Sequence, residues 1–359
     1  MVTVSLCMIV KNEEDVLARC LESAAGAVDE IVVVDTGSSD RTAEIAARFT
    51  DRIFSFPWTG DFAAARNFAF DQGTMDYLLW LDADDVLLEP DQAALKALKE
   101  SLDPAVTVVM APYHVGFDQR GNVTLSYYRE RLVKNRAGLR WKGAVHEAIE
   151  PAGKVLYADF AVTHRKTRPG DPDRNLRIYE SQLARGEALD PRAQFYYGRE
   201  LYDHRRYQEA LDVFGAFLDQ GRGWVENNIE ACRCRARCLD ALERPDQALA
   251  ALLEAFAYDR PRAEVCCELG ERFMARGLDR LALYWYALAL TCPRNDRQGG
   301  FVSPGCYGYI PCLQMCVCYN RLGDQDRAEQ MNDLAALFQP ESEAVAFNRR
   351  YFQRLREDG

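Results

Sequence analysis

No stretch of the sequence approaches the roughly 20 uninterrupted apolar residues that a membrane-spanning helix needs. The N-terminus, MVTVSLCMIVKNEE, is a short apolar run entering charges, with neither a basic leader nor a small-residue cleavage site. These absences predict a soluble, cytoplasmic protein. Excess positive charge is missing as well. Lys+Arg number 44 against 55 Asp+Glu, a net charge of −11, so no whole-molecule field draws nucleic acid or anionic lipid. No CxxC pair occurs among the 12 cysteines, and only Cys7 and Cys20 precede position 232. Several of the others stand at helical spacings, such as Cys234/Cys238 and Cys312/Cys316. In a chain of this size that pattern predicts reduced thiols buried on helices, not a disulfide framework or a metal cluster. The composition of a disordered chain is also absent, since 48% of residues are hydrophobic and 28% charged.

What is present divides the 359 residues into two parts. Up to about residue 165, short apolar runs alternate with amphipathic stretches. TVSLCMIV (3–10), EIVVVD (30–35), RIFSF (52–56) and YLLWLD (77–82) read as strands, and 13–25, 40–49 and 61–72 carry helical spacing. Strands alternating with helices mean crossover units, hence an α/β domain with a mostly parallel central sheet. VTVVMAPYHV, NVTLSYYRERLV and KVLYADFAVTH read as further strands, and the Pro- and Asp-rich RPGDPD at 168–173 closes the region. The expected organisation is a first domain over 1–167, a hinge over 168–173 and a second domain over 174–359.

In that second part strand signals almost vanish and a helical repeat emerges. FYYGRELYDHRRYQEALDVFGAFLD (195–219) places Gly198, Tyr207, Ala210 and Phe214 where a helix-turn-helix unit has a close helix contact, a turn aromatic, a small residue and a large one. The outline recurs twice, with Ala210, Ala248 and Ala282 separated by 38 and 34 residues, close to the 34-residue tetratricopeptide (TPR) period. A fourth copy, CVCYNRLGDQDRAEQMNDLAALF, follows an irregular insertion, PRNDRQGGFVSPGCYGYIP. The expectation is an all-α, TPR-like repeat domain. Its surface would bind an acceptor or a second copy of the chain as a homodimer, and the insertion would either reach toward a cleft or pack plainly through Tyr307 and Tyr309.

Chemistry-bearing residues gather at the carboxyl ends of the first domain's strands, where open α/β sheets place their ligands. Asp82-Ala83-Asp84-Asp85 follows the apolar YLLWL, and carboxylates two apart in a turn can engage a hard divalent cation bridging substrate phosphates. A capping role before a helix at 90–99 would explain one of these Asp residues without any metal. Asp35 ends the second strand in VVVDTGSSDRT, where Gly37 permits a tight turn and Ser38 or Ser39 can cap the next helix. The first strand leads into Lys11-Asn12-Glu13-Glu14, and Asp61-Phe-Ala-Ala-Ala-Arg66-Asn67 opens a helix with a cation available for phosphate.

Taken in order, SLCMIVKNEE, VVVDTGSSDRT, FAAARN and LWLDADD resemble the nucleotide-sugar-binding half of an inverting glycosyltransferase of family 2, with the GT-A fold, over roughly the first 165 residues. The resemblance implies a UDP-hexose donor and a Mn²⁺ or Mg²⁺ cofactor. It also implies that the segment from Ser5 through Lys11 and Asn12 to Glu13 lines the nucleotide pocket and that Asp35 pairs with the base. Asp82 would lie near ribose and metal, Asp84 would ligate the metal, and Arg66 would approach the diphosphate. The helical tail is similar to that of bacterial family 2 enzymes, including peptide S-glycosyltransferases that modify bacteriocin precursors.

An inverting transfer needs a base that deprotonates the acceptor. Trp141-Lys-Gly-Ala-Val-His146-Glu147 offers Glu147 as that base, His146 as a phosphate donor or metal ligand and Trp141 as a support for the sugar ring. A surface Glu, a satisfied His and a core Trp are the structural alternatives. His164, at the end of AVTHR, can close over the diphosphate, ligate the metal, or be structural. A polypeptide acceptor is preferred, with a cell-surface glycan or a lipid-linked acceptor as alternatives. Two other functions stay open: a nucleotidyltransferase, whose Gly-rich basic loop is replaced here by Lys11-Asn12-Glu13-Glu14, and a non-catalytic repeat scaffold.

Overall fold

The chain, seen in a computed structural model, is described for residues 1–118, 120–168 and 170–358. Its first strand shows why a sheet forms where it does. Along β1 (Val4–Val10), Val4, Leu6, Met8 and Val10 alternate onto one apolar cluster, while Cys7 joins a second cluster on the other face. A strand buried on both sides belongs at the centre of a sheet covered by helices. Parallel neighbours β2 (Glu30–Asp35) and β4 (Tyr77–Leu79) flank it, and β3 (Ile53–Ser55) lies outside β2.

The connections are α1 (Leu17–Ala25), α2 (Thr42–Ala46) and α3 (Phe62–Gln72). The first cluster packs Leu17, Cys20, Leu21 and Ala24 of α1 under the sheet, and the second packs Ala63, Ala69 and Phe70 of α3 over it. Each fully buried aliphatic or aromatic side chain contributes roughly 1.5–3 kcal/mol to that packing. After β4 come β5 (Asp85–Val86), α4 (Glu89–Ser101) and a long hairpin of β6 (Val106–Phe117) and β7 (Val123–Lys134). Then follow β8 (Trp141–Lys142), β9 (Ala148–Ile149), β10 (Lys154–Tyr157), β11 (Val162–His164) and α5 (Arg174–Ala184). The sheet runs β3-β2-β1-β4-β7-β6-β11-β5, with β10 also on β6 and a separate β8-β9 pair. Only β7 and β5 run against their neighbours in it, so the sheet is mostly parallel as expected.

Two strand readings change in detail. YLLWLD leaves the sheet after Leu79, because the Trp80 indole N–H turns to the Glu130 carbonyl. KVLYADFAVTH divides into β10 and β11: Ala158 N–H closes the β10 ladder on the Met110 carbonyl of β6, and Ala161 N–H then turns to the Asp91 carboxylate.

The chain separates into two compact units, Met1–Ala193 and Gln194–Gly359. The division falls about 20 residues beyond the expected hinge, of which Pro169 lies outside the described residues. The physical reason is α5, whose Leu176 and Tyr179 are buried in the first unit and whose Tyr179 hydroxyl reaches the Val145 carbonyl.

The second unit pairs α6 (Pro191–Asp203) with α7 (Tyr207–Asp219) and α8 (Val225–Ala241) with α9 (Pro245–Leu253). It continues with α10 (Ala263–Ala275) against α11 (Asp279–Thr291) and α12 (Tyr309–Arg321) against α13 (Gln325–Phe338), and ends in α14 (Glu343–Asp358). The repeat signature has a steric basis. A Cβ on Gly198 would stand 2.8 Å from the Phe214 ring, and one on Gly270 would stand 2.7 Å from the Tyr286 ring. Ala210, Ala248, Ala282 and Ala328 are all fully buried on the second helices. The insertion folds back inside this unit. Ser303 N–H and the Tyr307 hydroxyl donate to Glu264 at 2.7 and 3.1 Å, and Phe301 packs on Phe195. All 12 cysteines are free thiols, and all but Cys292 are buried.

Gly270→Ala should therefore destabilise the protein by about 1–2 kcal/mol, because overpacking against Tyr286 outweighs the gain in helix propensity. Gly215→Ala, where a Cβ meets nothing within 4 Å, should stabilise by about 0.5–1 kcal/mol. Urea unfolding of the two variants checks the opposite signs.

Candidate active site

At the carboxyl edge of the sheet the loops lock together through side chains. Asp35 Oδ1 accepts from Gly37 N–H and Ser38 N–H at 3.0 and 2.8 Å, closing the turn after β2. Asn12, held at φ +55°, donates its N–H to Ser38 Oγ at 3.0 Å and accepts from Ser39 N–H at 2.7 Å. Ser38 and Ser39 thus tie two loops together instead of capping α2, whose Thr42 is bound by Asp40. Glu13 N–H donates to Thr42 Oγ1 at 2.7 Å, and Arg168 reaches the Asn12 carbonyl and the Glu13 carboxylate. Lys11 is exposed and makes no hydrogen bond among the described residues. Ser5 is not at this edge. It lies at the opposite end of β1, fully buried, with its hydroxyl on Glu30 and its oxygen accepting from Met75 N–H. Its expected place in the nucleotide pocket is therefore corrected: the strand carries it away from the carboxyl edge.

The acidic turn after Leu81 is built around Asp85. That carboxylate is fully buried, accepting from the Tyr113 hydroxyl at 2.8 Å, the Arg131 guanidinium at 3.3 Å and Asp82 N–H at 3.1 Å. The helix that follows begins at Glu89 with Leu88 as its N-cap and no capping side chain, so no residue of the turn serves as a cap. Asp84, Asp85 and His164 bring one ligand atom each within 4.8 Å of one another, the metal-type group found among the described residues. His164 Nδ1 lies 3.3 Å from Asp85 and 3.5 Å from Asp84. The hydrogen bond to Asp85, with the nearby Asp84 and Asp82, raises the His164 pKa against the effect of burial. Burial raises the Asp84 carboxyl, His164 opposes that shift, and the negative field of Asp82 and Asp85 adds to it. The same field reaches Glu13: burial raises its carboxyl, Arg168 opposes, and Asp84 and Asp82 add.

A divalent cation fits this donor set. Asp84 is an under-compensated carboxylate beside an imidazole, a combination suited to Mn²⁺ or Mg²⁺. Asp85 already spends both oxygens on protein donors, which makes it the anchor of the turn.

Arg66 is 7% exposed and lies against the rings of Trp80 and Trp141, at 4.8 and 5.0 Å from their centres. Its Nη2 donates to Asp82 Oδ1 and its Nε to Glu147 Oε1, both at 2.7 Å. Burial works against ionisation of Asp82, yet Arg66, with Arg131 and Arg129 behind it, holds that carboxyl below its usual range. Of the Arg66 nitrogens expected to approach the diphosphate, two are committed to protein carboxylates, and Nη1 has no protein partner among the described residues. The expected role of Trp141 is corrected. At 2% exposure it packs on Trp80 and Phe70 and offers no face to a sugar.

The loop 143–147 carries Gly143 at φ +96° and His146 at φ +51°, backbone that costs of order 1–3 kcal/mol at the histidine and persists only when its surroundings hold it. The holders are visible. Phe62 N–H donates to the Ala144 carbonyl at 2.9 Å, and Asn67 exchanges two hydrogen bonds of 3.0 Å with the Trp141 backbone. Arg192 donates to the His146 carbonyl, and Arg129 to that of Glu147.

Arg129, Glu130 and Arg131 support the site unannounced by any motif. Their one signal is three consecutive charges inside an apolar strand, NVTLSYYRERLV. Burial opposes the charge of Glu130, but Arg129 and the Ile149 N–H hold its carboxyl below the usual range. That sign gives stability present above the ordinary glutamate pKa and lost as pH falls through the depressed one. Glu130→Gln should therefore cost about 3 kcal/mol at neutral pH by leaving Arg129 unpaired, and the gap to the parent protein should close on acidification in urea titrations run across pH.

Residues 5–152 match the Glycosyl transferase family 2 model. The chain is similar to a TPR repeat-containing protein of Synechococcus elongatus, at 37% identity over 42% of this chain and 36% of the relative. It is similar to the SPbeta prophage-derived glycosyltransferase SunS of Bacillus subtilis, at 26% over 58% of this chain and 52% of the relative. A third relative is the lipopolysaccharide core biosynthesis glycosyltransferase LpsC of Rhizobium meliloti, at 33% over 41% and 57% respectively. The chain thus spans little more than half the length of these relatives, or less. The segment matched to Glycosyl transferase family 2, residues 5–152, is the part that carries the mixed sheet and its acidic turn, and a TPR-like unit of stacked helix pairs follows it in sequence.

Proposed function

We propose that the protein is an inverting glycosyltransferase that moves a hexose from a UDP-hexose to a polypeptide acceptor. The observation that carries this reading is the meeting of the acidic turn and the loop ending in Glu147 at Arg66, 2.7 Å from each carboxylate. A donor-side acid and an acceptor-side base on one cation are the two halves of a displacement at an anomeric carbon. Asp84 and His164 would hold the divalent cation, with Asp82 beside them; when bound, the metal neutralises the leaving diphosphate. Asn12, Glu13 and Asp35 shape the loops that receive the nucleoside.

Glu147 is the base. Its Oε1 is fixed on Arg66, while no hydrogen bond holds its Oε2 among the described residues. That oxygen takes the acceptor proton as the nucleophile bonds to the anomeric carbon and the bond from that carbon to the diphosphate oxygen breaks on the far face. One displacement inverts the centre. The strained backbone at His146 keeps the Glu147 side chain at this place, and the His146 imidazole serves the diphosphate from the same loop. The repeats supply acceptor binding or self-association and no catalytic group; stacked helix pairs offer an extended surface suited to a polypeptide.

A panel of nucleotide sugars in a thermal-shift assay with and without Mn²⁺ tests the reading. A matching donor should raise the melting temperature by mass action, and turnover should release free nucleoside diphosphate; pyrophosphate would mean nucleotidyl transfer instead. Asp84→Asn should lower metal-dependent turnover by at least about 100-fold with the fold intact. The anomeric proton coupling of the product should report a β-linkage from an α-donor, and an α-linkage would refute inversion.

A further inference from the structure

The FAAARN segment does more than open a helix. Three groups on α3 grip the 141–147 loop: Phe62 N–H on Ala144, Arg66 on Glu147, and Asn67 on both backbone groups of Trp141. Arg66 alone also grips Asp82. A guanidinium is planar and always charged, so fixing one of its edges on Asp82 fixes where the rest of it can hold Glu147. The rings of Trp80 and Trp141, themselves in edge contact, both lie against the guanidinium.

We propose that Arg66 is a positioning residue that sets the distance between the donor-side turn and the acceptor-side base, so that ordering of the turn by donor is transmitted to Glu147. The inference rests on the glycosyltransfer reading and goes beyond it. Arg66 touches neither donor nor acceptor in this role. It acts through Glu147, and the competing role, a direct diphosphate contact through Nη1, which has no protein partner among the described residues, makes opposite predictions.

The test uses the full chain with Arg66→Gln, Arg66→Lys, Glu147→Gln and the double variant Arg66→Gln/Glu147→Gln. Calorimetry measures binding of UDP with Mn²⁺, or of whichever nucleoside diphosphate the donor panel returns; steady-state kinetics separates kcat from KM. Arg66→Gln should keep nucleotide affinity within about threefold while kcat falls by about 100-fold, the scale of a misplaced base. Arg66→Lys should recover part of that loss, and the double variant should be no worse than Glu147→Gln by more than about threefold, as expected for residues acting as one unit. Amide exchange across 143–149 should speed up in Arg66→Gln.

Nucleotide binding at least about tenfold weaker with kcat retained would make Arg66 a donor contact and overturn the proposal. An unchanged kcat, or losses that multiply in the double variant, would overturn it too. If Arg66→Gln does not fold, Arg66→Lys and Asn67→Ala carry the same kcat-against-affinity comparison. A parent chain that binds and transfers no nucleotide sugar would sink the glycosyltransfer reading itself, and this inference with it; an active parent with a contrary Arg66 result sinks this inference alone.

Discussion

A guanidinium at 7% exposure against two indole rings is stable only where carboxylates meet it, because an unpaired buried charge costs several kcal/mol. Arg66 therefore imposes a condition on the first unit: Asp82 and Glu147, 65 residues apart in sequence, must arrive at the same place in the fold. Asp82 is delivered by the end of β4 and Glu147 by a loop bent through two positive-φ residues. The helix that carries Arg66 begins at Asp61, whose carboxylate caps it by accepting from Ala64 N–H. The ion triad thus ties the acidic turn to the Glu147 loop, while the backbone at His146 is held separately by Phe62, Asn67, Arg192 and Arg129.

A second buried arginine does parallel work beneath the turn. Arg131 has no exposure and stacks on Trp80 and Tyr113 while meeting Asp85. Asp85 then presents its remaining hydrogen-bonding capacity to Asp82 N–H, Tyr113 and His164. Two arginines underneath and three carboxylates in the turn leave an excess of negative charge at the surface, concentrated on Asp84, the least compensated of them. A cation above the turn would complete this arrangement electrostatically, and the raised pKa of His164, through its hydrogen bond to Asp85, answers to the same negative field.

The elements that the sequence disclosed are those whose residues answer to a local period. Apolar runs bounded by charge became β1, β2, β6 and β7, and the Gly198–Phe214 spacing became a close helix contact. Asp84 and His164 were legible as a pair because each ends or follows a strand at the same sheet edge. What the sequence hid were matters of direction and distance. Ser5 and Glu13 belong to one motif, but a strand of seven residues puts them at opposite ends of the sheet. Trp141 looked like a platform because it adjoins a glycine-containing loop, yet its ring faces inward on Trp80. Asp85 stood beside the expected ligands with nothing to mark it as the anchor, since Arg131 lies 46 residues away.

The unit boundary illustrates the same limit. RPGDPD has the composition of a hinge, and composition correctly marks exposed chain there. A hinge in composition becomes a boundary in the fold only if the following helix buries its apolar face in a different core, and amphipathic periodicity does not say which core that is. The buried face of α5, with Leu176 and Tyr179, goes to the first unit, where Tyr179 reaches the carbonyl of Val145 two residues before Glu147. Arg192, farther along the same unit, takes the carbonyl of His146. The residues that follow the matched segment 5–152 therefore brace the loop that ends in Glu147, and a chain cut at the compositional hinge would lose both of these contacts.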